Sequence, residues 1–262
     1  MTVGGGRRHD RRRPAAAVTA AATSGDSAVV RGVLLDVDDT LVDTRAAFRA
    51  AIDRVVARWM PFLDGAGRDD AVRFWVLDDA GAFAAYTRGE LTFAEQRRIR
   101  AERLHARLGG PALDDTGFAR WEEAYEAGFR AAWRAHDDGR ALVAMLRALG
   151  IPTGAVTNAA REYQVTKLAA VGLAQVPVLV SVDDLGRGKP DPAVFHLACE
   201  RLGLPPGEVA YVGDELDVDA RGARDAGLTG VWLDRHGVGL VPDDVPAVRT
   251  LAELPALLRL TR

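Results

Sequence analysis

The sequence predicts an α/β protein in which a doubly wound parallel sheet carries one inserted block of helices. Three observations lead to this fold class. Short apolar runs, which suit strands buried on both faces, alternate with helical segments over most of the chain. One stretch, residues 45–135, shows helical patterns alone. The length of 262 residues suits a core domain with a smaller inserted unit.

The predicted strands are continuous apolar runs, and helices with clear stop signals follow several of them. Each of these helices ends at a glycine, which is the residue that most often closes a helix. The strands are residues 29–37, 151–156, 176–182, 209–212 and 230–233, and the helices are residues 138–149, 192–202 and 217–226.

The inserted block has its own helical signatures. Apolar residues from Phe48 to Trp59 recur at helical spacing, and Thr92 followed by Glu95 is a capping box that opens another helix. Aromatic residues from Phe118 to Trp133 form a stripe at steps of three and four, which we interpret as core packing rather than a ligand site.

Residues 1–28 are expected to form a disordered N-terminal tail, because they hold almost nothing bulky and apolar. The arginines at positions 7–13 precede an alanine-rich stretch, as in a secretory signal, but the apolar part is too weak to favour export. The domain boundaries predicted from these patterns are 29–44 and 136–262 for the core and 45–135 for the helical block.

The composition excludes several classes of protein. The net charge of −3 argues against a binder of nucleic-acid polymers, and a single cysteine excludes a disulfide framework. No run of about 18 apolar residues occurs, so no segment is expected to span a membrane. The oligomeric state is left open.

Polar residues that could carry chemistry stand at four predicted strand ends, where parallel sheets bind ligands. Each of them alone is more often a helix cap, a turn or a surface charge. Their ordered occurrence at successive strand ends favours a functional site. They are Asp36 and Asp38 after the first strand, Thr157 and Asn158 after the second, Lys189 after the third, and Asp214 and Asp219 after the fourth.

These residue types support a coherent chemistry. Clustered carboxylates repel each other unless a cation neutralises them, and an all-oxygen ligand set suits Mg²⁺. A positioned carboxylate can attack as a nucleophile and form an aspartyl phosphate. Lys189 can offset charge on carboxylate and phosphate, and backbone amides after Thr157 can hold phosphate oxygens.

As an ordered set, these motifs resemble those of the haloacid dehalogenase-like (HAD) hydrolase superfamily. The matching pieces are DVDDTL at 36–41, Thr157-Asn158, Lys189-Pro190 and the glycine- and aspartate-rich run at 213–227. The resemblance covers about residues 29–260. It implies a Rossmann-like core with a helical cap inserted after the first motif, which corresponds to the block at 45–135.

The resemblance also implies a role for each motif residue. Asp36 would be the nucleophile and Asp38 the acid and base, with Thr157, Asn158 and Lys189 at the phosphoryl group. Mg²⁺ would be held by Asp36, the backbone carbonyl of Asp38, and Asp214. Asp219 would support the metal site through water or through Lys189. The expected activity is that of a cytoplasmic, Mg²⁺-dependent phosphomonoester hydrolase acting on a small phosphorylated metabolite.

Alternatives within the superfamily stay open to different degrees. A phosphosugar mutase or other phosphoryl transferase would keep both aspartates. A 2-haloacid dehalogenase would lack the second aspartate, so Asp38 argues against that reaction. Phosphonatases use a cap lysine, whereas the only lysines here are Lys167 and Lys189, outside the cap. A binding module with little turnover is the remaining alternative.

The substrate is predicted only loosely. The run at 213–232 and the Gly89–Thr92 segment resemble the branch of nucleotide and flavin mononucleotide phosphatases. Four cap arginines follow that segment, and we expect them to be mostly solvated, with one of them a candidate to contact substrate. They are Arg97, Arg98, Arg100 and Arg103.

Overall fold

The structure is a computed structural model that describes Met1, residues 29–237 and residues 242–260. Apart from Met1, the predicted disordered tail at residues 1–28 lies outside the described residues. Within the described ranges, no helix is both long enough and apolar enough to cross a membrane.

The core is a six-stranded, fully parallel sheet in the order β3-β2-β1-β4-β5-β6. All five predicted strands are present, and β6 was not anticipated because two residues give no usable pattern. The strands are β1 Gly32–Leu35, β2 Thr153–Val156, β3 Val178–Val180, β4 Val209–Gly213, β5 Thr229–Leu233 and β6 Ala247–Val248.

Strand β1 is shorter than the predicted run of residues 29–37. After Leu35 the chain leaves the ladder and curls back, so that the carbonyl of Val37 accepts from the amides of Leu41 and Val42 at 3.0 and 2.9 Å. The apolar residue beyond the strand is therefore buried inside a turn. The predicted strand was too long because Val37 is apolar on account of its burial in the turn, and not because it belongs to the sheet.

Helices cover both faces of the sheet, as the doubly wound prediction requires. On β1, Val33 and Leu35 enter the hydrophobic cluster that also holds α6 and α7, whereas Leu34 enters the cluster of α9 and α10. The helices outside the inserted block are α6 Asp137–Leu149, α7 Arg161–Ala170, α8 Val182–Leu185, α9 Pro192–Leu202, α10 Gly222–Asp225 and α11 Leu254–Leu257.

The predicted helix at residues 217–226 is wrong in its geometry. The chain forms a wide π-helical segment over Leu216–Arg221 and only then the short α10. It lies directly on β5, where a Cβ at Gly230 would be 2.0 Å from the carbonyl oxygen of Ala220. A glycine is needed at that position because the two backbones touch.

The inserted block is all-helical, and most of its buried apolar residues belong to the same hydrophobic cluster as Val33 and Leu35 of β1. Its helices are α1 Thr44–Trp59, α2 Gly65–Leu77, α3 Ala82–Thr87, α4 Phe93–Leu108 and α5 Asp115–Ala131. The capping box at Thr92 and Glu95 is present. The aromatic stripe is core, as predicted: Trp121 and Tyr125 are buried, stack on each other and pack at a tilt against Trp75. The Trp75 indole donates to the Tyr125 hydroxyl at 3.0 Å.

The helical block meets the sheet domain beside the loop that carries Lys189. The amide of Gly188 donates to the carbonyl of Thr87 at 2.8 Å. A Cβ at Gly89, which has a φ of 76°, would lie 2.7 Å from the carbonyl oxygen of Gly186. On the other side, the Tyr163 hydroxyl of α7 donates to Glu126 of α5 at 2.9 Å.

Candidate active site

The carboxyl ends of β1, β2 and β4 bring the predicted polar residues to one edge of the sheet. Asp36 follows β1 directly, and its amide donates to the carbonyl of Val212 in β4 at 2.9 Å. This bond keeps Asp36 beside the end of β4, where Asp214 follows. Asp36 is a buried residue, and 8% of its side-chain surface is exposed.

Lys189 is the electrostatic centre of the site. Its ammonium donates to Asp36 at 2.6 Å, to Asp219 at 2.7 Å and to the Tyr211 hydroxyl at 2.7 Å. Burial works to lower the pKa of Lys189, but the charges of Asp219 and Asp36 outweigh it and hold that pKa well above its ordinary value. The lysine therefore stays charged and offsets two buried carboxylates.

The loop that carries Lys189 is fixed by Asn158. The Asn158 side-chain oxygen accepts from the Lys189 amide at 2.6 Å, and its nitrogen donates to the Lys189 carbonyl at 3.0 Å. A Cβ at Gly188 would be 2.3 Å from that oxygen, so this approach needs glycine. The Asn158 amide thus positions Lys189, and its predicted contact with phosphate stays a prediction.

Thr157 is buried at the end of β2. Its hydroxyl accepts from the amide of Ala159 at 3.2 Å and from the side chain of Gln164 at 2.9 Å. The hydroxyl therefore stands at the start of the turn into α7, where the backbone amides were predicted to meet a phosphate.

Asp38 has a set of partners separate from that of Asp36. One carboxylate oxygen accepts from Thr44 and from Lys167, both at 2.6 Å, and the other accepts from Gln164 at 2.6 Å. Burial works to raise the pKa of Asp38, but the charge of Lys167 and the three hydrogen bonds hold that pKa below its usual value. Each motif aspartate is thus paired with its own lysine.

Three carboxylates could hold a cation here. Oxygen atoms of Asp36, Asp214 and Asp219 all lie within 4.8 Å of one another. Burial, followed by the neighbouring carboxylates, raises the pKa of Asp214, and burial with Asp219 and Asp38 raises that of Asp36 against the opposing charge of Lys189. A divalent cation would relieve this repulsion, and the all-oxygen donor set fits Mg²⁺.

Five residues that contact this site were not identified in the sequence, and one of them is Thr44, which donates to Asp38. Gln164 and Lys167 lie three residues apart on α7, a spacing that could have marked a shared buried polar face. Tyr211 sits inside the apolar run of β4, and Arg235 holds the turn after Asp38 by donating to the carbonyls of residues 39 and 40 at 3.1 and 2.8 Å. Neither leaves a pattern in the sequence.

The expectation that the four cap arginines are mostly solvated is wrong for Arg97 and Arg100, because the packing of the cap aromatic rings buries their side chains. All four form ion pairs within the cap: Arg97 with Glu122 and Glu126, Arg98 with Glu102 and Asp115, Arg100 with Asp78, and Arg103 with Asp79.

Arg97 differs because it is only 6% exposed and its Nε and Nη1 have no hydrogen-bond partner. It stacks on Tyr125, with the guanidinium carbon 4.1 Å from the ring centroid. Its Nη1 lies 3.6 Å from Glu126, the residue that receives the Tyr163 hydroxyl beside the site.

Comparison with known proteins identifies the family of this chain. A family model described as haloacid dehalogenase-like hydrolase matches residues 30–227. The phosphoserine phosphatase of Thermus thermophilus is 32% identical over 240 residues, which are 82% of this chain and 92% of that protein. The phosphoglycolate phosphatase of Escherichia coli O157:H7 is 32% identical over 219 residues, 78% of this chain and 81% of that protein.

A solved structure has the same fold. The HAD-hydrolase YfnB from Bacillus subtilis, in a form bound to magnesium, superposes with a TM-score of 0.71 at 24% identity. The match covers 88% of this chain and 99% of that one. It supports the Rossmann-like core with an inserted helical cap.

Proposed function

Since the chain belongs to the haloacid dehalogenase-like hydrolases, we propose that it is a Mg²⁺-dependent phosphatase that forms an aspartyl phosphate on Asp36. The observation that carries the proposal is the separate pairing of two aspartates. Lys189 binds Asp36 at 2.6 Å, and Lys167 binds Asp38 at 2.6 Å. Two carboxylates two residues apart are thereby prepared for different tasks.

In the first step, an Asp36 oxygen attacks phosphorus and the bond from phosphorus to the leaving oxygen breaks. Asp38 gives a proton to that oxygen. The dianionic phosphate beside Asp38 raises the pKa of its carboxyl, which opposes the effect of Lys167 and favours the protonated form. In the second step, the Asp38 carboxylate takes a proton from water, the water oxygen attacks phosphorus, and Asp36 is released with inorganic phosphate.

The remaining residues bind and orient. Lys189 neutralises charge on Asp36 and on the phosphoryl group, while Thr157 and the amides after it offer donors to phosphate oxygens. Asp36, the Asp38 carbonyl and Asp214 would hold Mg²⁺, with Asp219 supporting through Lys189. Bound there, the ion would supply positive charge against the carboxylates and the transferring phosphoryl group.

For the substrate we propose a small phosphate monoester that carries a carboxylate. Phosphoserine and phosphoglycolate, which give two relatives their names, are both of this type. Arg97 supports the proposal, because its buried Nε and Nη1 have no hydrogen-bond partner and a carboxylate accepts two parallel bonds from a guanidinium. The carboxylates of Glu122 and Glu126 lie at ion-pair distance, 4.0 and 3.6 Å from Nη1. This class competes with the nucleotide or flavin mononucleotide that the sequence resemblance implied. A cytoplasmic location is also part of the proposal.

Phosphate release is the experiment that tests the activity. Wild-type protein with Mg²⁺ should release inorganic phosphate from p-nitrophenyl phosphate, and EDTA should abolish the release until Mg²⁺ is restored. Ca²⁺ should replace Mg²⁺ poorly, because its longer and looser coordination misplaces the nucleophile. Asp36→Asn should be inactive, whereas the matched control Asp137→Asn, an exposed aspartate outside the site, should keep full activity.

Three outcomes would contradict this assignment. Isomerised ester without free phosphate would indicate the mutase alternative. Halide release from 2-haloacids without metal would indicate a dehalogenase. Retention of more than a few per cent of turnover in Asp36→Asn would exclude Asp36 as the nucleophile.

A panel of esters tests the substrate class. Phosphoserine and phosphoglycolate should exceed nucleoside monophosphates and flavin mononucleotide in kcat/KM. Arg97→Met should lower kcat/KM for the two acids about 10- to 100-fold, the scale of a lost charge-assisted bond, and leave p-nitrophenyl phosphate nearly unchanged. Arg98→Met, at a half-buried arginine of the same helix, is the matched control. An equal loss on every ester would show that Arg97 only supports the cap core.

A further inference from the structure

Helix α7 presents two buried polar side chains to the site, although no sequence motif marks them. Gln164 has no exposed surface, and Lys167 is 2% exposed. They lie one helical turn apart, so both side chains project from the same face of α7. Both donate to Asp38 at 2.6 Å, Gln164 to one carboxylate oxygen and Lys167 to the other.

Gln164 also connects Asp38 to Thr157, at the end of β2. Its side-chain nitrogen donates to the Thr157 hydroxyl at 2.9 Å as well as to Asp38. One amide therefore sets the separation between the predicted acid and the predicted phosphate-binding hydroxyl. With Thr44 as a third donor, both oxygens of Asp38 are bonded and its rotamer is fixed.

Lys167 ties Asp38 to the cap. Its ammonium lies 5.5 Å from the ring centroid of Phe129, 5.9 Å from that of Trp133 and 5.4 Å from that of Tyr163. Phe129 belongs to α5 and Trp133 follows it, so two of the three rings come from the end of the cap helix. A buried ammonium in such a ring cage is held by cation–π attraction on one side and by Asp38 on the other.

We propose that Lys167 and Gln164 are positioning residues that hold the Asp38 carboxylate against the leaving oxygen and link that position to the seating of cap helix α5. The proposal rests on the phosphatase function proposed above. A methionine would fill this space without a buried charge, and burying a charge is costly unless the charge is paired. Asp38 is the group that this charge binds.

The test compares two esters that need the acid to different degrees. β-Glycerol phosphate has an alkoxide leaving group that must be protonated, whereas p-nitrophenyl phosphate has a phenolate that leaves unaided. In Lys167→Met, kcat/KM for β-glycerol phosphate should fall on the order of 10- to 100-fold, part of the range that general acid catalysis contributes. For p-nitrophenyl phosphate it should fall less than about 3-fold.

Two further variants keep the test decisive. Gln164→Met leaves the lysine pair intact and should show the same selective loss, so it answers the question if Lys167→Met does not fold. Thr166→Val, on the exposed face of the same helix, should change neither ester. Folding of each variant is checked by circular dichroism and thermal unfolding at saturating Mg²⁺.

The outcomes are distinct. Selective loss on β-glycerol phosphate in either folded variant supports the positioning role. Equal losses on both esters, or no loss, overturn it and leave a structural contact between cap and core, while the phosphatase function stands. If the wild-type protein hydrolyses neither ester nor any other phosphate monoester, the proposed function fails and this inference fails with it.

Discussion

Replacing Lys189 with methionine should destabilise the protein strongly, because it leaves two buried carboxylates without their cation. Lys189, Asp36 and Asp219 have 3, 8 and 2% of their side-chain surfaces exposed, so solvent cannot replace the lost charge. Removing one partner of a buried ion pair costs about 3–5 kcal/mol. For a chain of this size that corresponds to a fall in Tm of roughly 6–20 °C.

The loss of stability in Lys189→Met should also depend on pH, and the pKa of the buried Asp36 carboxyl decides the direction of that dependence. Burial raises the pKa of Asp36, and removing Lys189 takes away the charge that opposes this rise. A raised pKa in the folded state gives stability that is present at low pH and is lost as pH rises through it. The difference between Lys189→Met and wild type should therefore be smaller at pH 5 than at pH 8.

Urea unfolding followed by circular dichroism, in EDTA so that no metal replaces the lost charge, measures this effect. The matched control is Lys167→Met, the same substitution at the only other lysine. It should cost less, because the Asp38 side chain is 35% exposed and keeps Thr44 and Gln164 as donors. A pH-independent cost below about 1 kcal/mol for Lys189→Met would refute the argument, since surface pairs are worth that little.

Three more predictions follow from other parts of the molecule. Asp138, bonded to Arg235 at 2.8 and 3.0 Å, has its pKa lowered to about 2; despite opposing burial, hydrogen bonds favour its charged form. The charged Asp138 should add about 1 kcal/mol to the free energy of unfolding, after allowance for partial exposure. This stabilisation should be complete above pH 4 and should vanish as pH falls towards 2. Asp138→Asn should remove that part of the acid transition, and an unchanged transition would contradict it. Gly213→Ala would place a Cβ 2.3 Å from the carboxylate of Asp219. It should cost about 1–3 kcal/mol in urea unfolding and lower turnover, and wild-type behaviour in both would disprove the close approach. Trp121→Ala, fully buried in the cap, should cost about 3–5 kcal/mol in thermal unfolding, and a cost below 1 kcal/mol would mean that the cap core repacks.

Much of the fold could be read from the chain because its signals are local. An apolar run such as residues 209–212 gives nearly the same strand in the structure, β4 at Val209–Gly213, because burial on both faces demands apolar side chains throughout. The capping box at Thr92 was equally readable, since its two hydrogen bonds join residues three apart. The apolar pattern misled where a buried residue lies outside the strand, as Val37 does. It was also uninformative where a strand is too short to show a pattern, as in β6.

The site divides in the same way. Asp36, Thr157, Lys189 and Asp214 were placed at strand ends by pattern alone, because parallel strands end at one edge of the sheet. Which partner each would take was not readable. The pairing of Lys189 with Asp219 spans 30 residues and that of Asp36 spans 153, so only the folded chain brings them together.

Lys167 shows most clearly that the sequence does not reveal which charged residues pair. In the sequence it is an isolated lysine outside the cap, and its only use there was to show that the cap itself has none. In the structure it lies between Asp38, 129 residues away, and the aromatic rings at the end of α5. The sequence by itself determined five of the six strands, the inserted helices and the motif residues, since each of these signals depends on neighbours in the chain. Tertiary structure alone decided which charges meet, because electrostatic pairing depends on distance in space and on exclusion of water.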